Sequence, residues 1–195
     1  GLIDGENQKI TFDNKELNVG KSFGYVFQTS RLLPWLTVKE NIELVCDESD
    51  ENDSQIELLL SEFNLQEFKN YYPKSISGGM RRKVSLARAL INKPKILLMD
   101  EPFVSLDQPT SESLYSVLIN YWNKNPLTII LITHNLKEAI LLGDRILFFS
   151  KRPASVVYDH KVNIKRGKLT IDNNHVQTEY SLLKRKFPSL LEGLV

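Results

Sequence analysis

Two apolar runs constrain this chain more than any other feature: Ile96-Leu97-Leu98-Met99 and Ile129-Ile130-Leu131-Ile132, the second flanked by Thr128 and Thr133. Successive side chains of a strand point to opposite faces, so a strand apolar at every position has no face for water. Between them, Gln108 to Trp122 reads as an amphipathic helix, and helix Leu136 to Leu142 and strand Arg145 to Phe149 follow. Strand, helix, strand, helix, strand predicts a parallel sheet covered on both faces, an α/β fold.

The remainder is shorter in range. Lys9 to Phe12 and Phe23 to Phe27 read as strands separated by the turn-forming run Asp13-Asn14-Lys15-Glu16. Thr37-Val38-Lys39-Glu40 has capping-box spacing and predicts a helix start. Asp47 to Asp53 reads as a solvated acidic loop. Gln55 to Phe63 and Leu65 to Tyr71 read as short helices that Pro73 ends, and Met80 to Ile91 as a helix with one buried side. After Val157 the pattern weakens into a polar tail with one helix, Gln177 to Lys186.

A length of 195 residues predicts one domain, and Lys plus Arg (25) against Asp plus Glu (24) leaves no basic excess for nucleic acid. Cys46 is the only cysteine; this excludes a disulfide framework, and the residue reads as a small buried hydrophobe. No apolar stretch approaches the ~20 residues of a membrane-spanning helix. Gly1-Leu2-Ile3-Asp4 has neither an initiator Met nor a signal pattern and reads as an internal start.

In an open parallel sheet, ligands collect at the carboxyl ends of the strands. Three strands end there in polar residues: Gln28, the pair Asp100-Glu101, and His134. Asp100 suits Mg²⁺, which takes only one or two protein oxygens, and Glu101 suits the deprotonation of a water. Ser77-Gly78-Gly79, directly before the Met80 helix, offers free amides and a positive dipole end to an anion. Taken alone, each has a structural reading too: a strand-ending turn, a serine N-cap, a packing histidine.

Together their order resembles ABC ATPases from the Q-loop onward. Val26-Phe27-Gln28 is similar to the Q-loop entry, Ser75 to Leu90 to the signature motif and its helix, and Lys95 to Glu101 to Walker B with the catalytic glutamate. Ser105-Leu106-Asp107 resembles the D-loop and Thr133-His134 the switch histidine. Ile76 stands in the usual Leu place, and Met80 where Gln is commoner. The resemblance implies a P-loop NTPase-like sheet core (1–30 and 92–158), an inserted helical subdomain (31–91) and a C-terminal tail (159–195), truncated at the N-terminus. It implies ATP and Mg²⁺ as cofactors and a head-to-tail dimer with a second nucleotide-binding domain. Ser77, Gly78, Gly79 and Met80 would then meet the partner's nucleotide and Asp107 would cross the interface. Asp100 and Gln28 would attend the metal, Glu101 would activate water, His134 would contact the γ-phosphate and Gln28 would sense the attacking water.

A finer resemblance joins Leu32 to Val38, Gly79-Met80, Asp100 to Phe103 and the Ser150-Lys151-Arg152-Pro153 turn to importers of nitrate, sulfonate or taurine. It implies a motor on the cytoplasmic face of a membrane, docked through Leu33, Pro34 and Trp35 to a permease and served indirectly by a solute-binding protein. Trp35 has a second reading as helical-subdomain core. The P-loop pattern G-x-x-x-x-G-K-[ST] is absent. Gly20-Lys21-Ser22 matches only its last three residues, since Lys15 stands where the first Gly belongs and a strand is expected next. The alternative function is a non-catalytic ABC-like interaction module. A DNA-repair ATPase of this kind would need a coiled coil between Gln28 and Ser77, which the spacing does not admit.

Overall fold

The computed structural model describes residues 11–12, 15–16, 22–46, 52–151, 153–163 and 171–188. Strand β1 (Thr11–Phe12) pairs antiparallel with β2 (Lys15–Glu16), so Lys15 and Glu16 belong to a strand and not to the expected turn. Asp13 and Asn14 lie outside the described residues, as do Gly1 to Ile10 and the Gly20-Lys21 of the P-loop-like triplet.

The central sheet has three parallel strands in the order β3 (Phe23–Val26), β4 (Ile96–Asp100), β5 (Thr128–Ile132). Helix α3 (Gly78–Leu90) packs on β3 so closely that a Cβ on Gly24 would overlap the Ala89 carbonyl, which leaves only glycine at that position. Helix α4 (Gln108–Lys124) carries the crossover from β4 to β5 and buries Leu114, Tyr115, Leu118 and Tyr121.

Two expectations about the sheet need correction. Strand β5 does have a solvent face, with Ile130 at 49% and Ile132 at 59% exposure, because strand neighbours and helices cover only one of its sides. Strand β6 (Arg145–Phe149) does not join the parallel sheet; it pairs antiparallel with β7 (Val156–Lys161), a strand inside what reads as polar tail. The expected boundary at 158 therefore cuts through β7. An apolar trough of about 900 Å³ separates β5 from β6.

Between β3 and β4 lie α1 (Val38–Glu43) and α2 (Asn52–Glu62), then single 3-10 turns at Gln66–Phe68 and Pro73–Ser75. The Thr37 capping box forms: Glu40 N donates to Thr37 Oγ1 (3.3 Å) and Thr37 N to Glu40 Oε2 (2.7 Å). Asp53 lies in the first turn of α2 and pairs with Lys39 at 2.9 Å, so the acidic run is not wholly loop; residues 47–51 lie outside the described set. Asn64, at φ 54°, ends α2, with Leu65 N reaching back to Leu60 O. The helix expected over Leu65 to Tyr71 shrinks to one turn, because the carbonyls of Lys69 and Tyr71 accept from Lys39 N and Val38 N at the start of α1. Val38, Ile42, Ile56, Leu60, Phe63 and Val84 share one continuous core with Leu97, Met99 and Leu114 of the sheet region. Cys46 is half-buried against that core.

Helix α5 (Leu136–Leu142) follows β5, and α6 (Asn174–Lys186) packs on it through buried Val176 and Leu183. No described helix is long and apolar enough to cross a membrane.

Candidate functional site

Parallel register builds the site. Val26, Met99 and Leu131 lie side by side, so two residues further on Gln28, Glu101 and Thr133 reach the same carboxyl edge, with Asp100 just inside it. Glu101 N donates to Ile132 O (2.9 Å), and there the chain turns with Glu101 at φ 44° and Ser105 at φ 62°. Left-handed backbone at non-glycine residues costs roughly 1–3 kcal/mol each. Burial of Phe103, edge-on to Tyr115 at 4.7 Å, holds the strained turn in place.

His134 Nδ1 lies 2.8 and 2.9 Å from the two carboxylate oxygens of Glu101. The hydrogen bond to Glu101, its charge, and more weakly the charge of Glu138 hold the His134 pKa above the usual imidazole value. The imidazole stands mostly in solvent and Glu101 is largely covered, at the lip of a cleft of about 350 Å³ that Ser105, Gln108 and Asn135 also line. The pair can hold a water and exchange a proton with it.

Behind His134 sits a network the sequence reading missed. Buried Glu138 accepts from Thr133 Oγ1 (2.7 Å), Tyr115 OH (3.0 Å) and Asn135 Nδ2 (3.2 Å). Burial, then the Glu138 charge, push the Tyr115 phenol pKa far up, so it stays a donor. Asn135 caps α5 by accepting from Lys137 N and Glu138 N. The Asn135 to Glu138 spacing of an N-cap and its N3 carboxylate was the available signal. The segment expected to be tail also reaches the cleft through Ile171, and Asp172 accepts from Gln108 Nε2 at 2.9 Å.

For a metal, the described residues hold no group of three or more acidic, His or Cys side chains. Neither Asp100 nor Gln28 lines the cleft; Asp100 ends β4 beside Glu101, and a lone carboxylate there has the chemistry of a Mg²⁺ ligand, an ion that keeps waters and takes only one or two protein oxygens. Gln28 is exposed, and its carbonyl and that of Phe27 accept from Arg82.

Ser77, Gly78, Gly79, Met80 and Asp107 do not line this cleft. Ser77 Oγ accepts from Met80 N (3.2 Å), so the serine does cap its helix, while Ser77 and Gly78 remain exposed. Gly79 is buried, and a Cβ there would overlap Thr110 Cγ2. Asp107 precedes α4 with an exposed side chain that makes no cap hydrogen bond, which leaves its carboxylate available. Pro34 and Trp35 are exposed and Leu33 half-buried; at 68% exposure Trp35 is not core.

A family model described as ABC transporter matches residues 1–104. The chain belongs to the ABC transporter family. Aliphatic sulfonates import ATP-binding protein SsuB of Bacillus cereus (strain ZK / E33L) is 39% identical over 170 residues, covering 86% of this chain and 64% of that protein. Nitrate import ATP-binding protein NrtD of Synechocystis sp. is 33% identical over 202 residues, covering 99% of this chain and 73% of that one. The dimeric post-hydrolysis structure of the ATP-binding cassette MJ0796 bound to ADP and Pi superposes with a TM-score of 0.64 at 28% identity, over 79% of this chain and 73% of the other. The chain thus spans about two thirds of the length of these ABC relatives. The parallel β3-β4-β5 sheet with its helices belongs to the fold of an ABC ATPase cassette.

Proposed function

We propose that this chain is the ATP-binding and hydrolysing part of an import motor, its chemistry centred on the Glu101–His134 pair. That pair carries the reading: a carboxylate and an imidazole in mutual contact at the carboxyl edge, beside Asp100. Mg²⁺, when bound, neutralises charge on the β- and γ-phosphate oxygens. Asp100 and Gln28 would hold it, Glu101 takes the proton of the attacking water, and His134 holds Glu101 and turns toward the γ-phosphate. The Glu138 network keeps the Thr133-His134-Asn135 turn in place for this contact.

The exposed Ser77-Gly78 amides and the uncommitted Asp107 carboxylate support a head-to-tail pairing in which the signature helix serves the nucleotide of a second domain. In this reading 31–91 is the helical subdomain inserted in a core of 1–30 and 92–161, the second stretch running to the end of β7. Exposed Pro34 and Trp35 with Leu33 form the permease contact of a peripheral subunit at the cytoplasmic face. The names of the relatives point to sulfonate or nitrate as solute, and the motif resemblance adds taurine.

Residues 1–195 contain no G-x-x-x-x-G-K-[ST] pattern, whose amides and lysine cradle the phosphates. Asp100 and Glu101 without such a cradle repel a nucleotide. The chain alone therefore neither binds Mg-ATP tightly nor turns it over, and a chimera with an ABC P-loop segment fused ahead of Gly1 does both. Glu101→Gln in that chimera keeps binding and loses turnover, as calorimetry and phosphate release will read. Micromolar binding by the chain alone moves the cradle to another loop; a chimera that neither binds nor hydrolyses Mg-ATP favours the interaction module.

A further inference from the structure

Pairing of β3 with β4 ends at Val26–Met99, yet Gln28 lies beyond it. What holds the backbone there comes from the helices. Arg82, on α3, is buried, and its Nη1 donates to Phe27 O (2.7 Å) while Nη2 donates to Gln28 O. Two turns along the same helix, Arg88 Nη2 donates to Ser30 O and Nη1 to Arg31 O, both at 3.0 Å. Arg31 itself is at φ 44° and lays its guanidinium 3.9 Å from the Phe27 ring centre. Further on, Asn41 of α1 accepts from Leu33 N (2.8 Å) and donates to the carbonyls of Leu33 and Leu36.

A buried guanidinium is a costly way to satisfy two carbonyls. Burial lowers the pKa values of both Arg82 and Arg88, with no carboxylate acting to raise either. A planar fork, however, spans adjacent carbonyls in a way that a point charge cannot. The placement of two such forks on successive faces of one helix fastens a run of five residues, 27–31, to that helix.

We propose that Arg82 and Arg88 are positioning residues for Gln28: they bind residues 27–31 to helix α3 and so fix the backbone that carries Gln28 beyond the last β3–β4 pair. Its functional weight rests on the reading of Gln28 as part of the nucleotide site.

Amide hydrogen exchange on the 195-residue chain tests the clamp without nucleotide. Arg82→Met and Arg82→Lys should both speed exchange in residues 27–33 by about tenfold, in line with loss of charged hydrogen bonds, and Arg88→Met should do so over 30–33. Residues 84–90 of α3 and strand β4 should keep wild-type protection. Unchanged exchange in 27–33 for Arg82→Met and Arg88→Met overturns the proposal, as does an Arg82→Lys variant as slow as wild type, since charge and not the fork would then suffice. Uniform acceleration through α3 and β4 also overturns it, by making the role one of general stability. In the P-loop chimera, Arg82→Met should lower kcat, and adding it to Gln28→Ala should lower it no further. Full turnover by Gln28→Ala alongside the expected exchange pattern would overturn the site reading of Gln28 and leave the clamp standing.

Discussion

At the scale of single residues, the site is an arrangement of charges that local sequence cannot weigh. Glu101 and His134 stand far apart in the chain, and only the parallel register of β4 and β5 brings Nδ1 within 2.8 Å of the carboxylate. Because Glu101 raises the His134 pKa, the pair's contribution to stability is fully present below the unfolded imidazole value of about 6.5 and fades as pH rises through the folded value. Water around the exposed imidazole keeps that contribution within ~1 kcal/mol. The chain has three histidines, so their proton signals can be separated by substitution. In an NMR titration, Glu101→Gln should move the His134 midpoint downward. An unmoved His134 midpoint would deny the contact.

At the scale of elements, α3 is legible as a helix through its apolar face, but it begins at Gly78, two residues before the expected Met80, because the Ser77 hydroxyl caps it. Its packing is not legible, and this changes how the helix should be probed. Gly79 faces Thr110 of α4, so Gly79→Ala overpacks the helix contact and should cost about 1–3 kcal/mol in thermal or urea unfolding. A Cβ at Gly78 meets only Arg81 Nη2, at 3.8 Å, and Gly78→Ala should unfold within ~1 kcal/mol of wild type. Equal destabilisation by the two would contradict the packing. For the head-to-tail question, Gly78→Asp in mixed chimera dimers is consequently the cleaner variant than Gly79→Asp, whose effect on fold would obscure its effect on a partner's nucleotide.

At the scale of the whole molecule, the trough between β5 and β6 dominates the surface. Ile130 and Ile132 on one side and Leu147 and Phe149 on the other leave apolar groups in water. Contiguous apolar surface of this kind drives association. The chain should sediment as concentration-dependent oligomers in the micromolar range, and Ile132→Lys with Phe149→Lys should shift it toward monomer; a strictly monomeric wild-type chain would contradict this. The apolar run of β5 was legible, but which of its side chains face solvent was not, because exposure depends on which strands and helices flank it. Likewise β7 lies in a stretch without clear periodicity and owes its existence to pairing with β6. What the sequence by itself determined was carried by near neighbours: the Thr37 cap, the apolar runs of β4 and β5, the Asp100-Glu101 turn and the order of motifs that resembles the ABC family. Only the tertiary structure decided that Arg82 and Arg88 hold residues 27–31, that Glu138 and Tyr115 stand behind His134, and that Gly79 is a packing residue. Those contacts join residues from about twenty to nearly sixty positions apart, where pattern along the chain says nothing and only the closure of the sheet and its helices sets the distance.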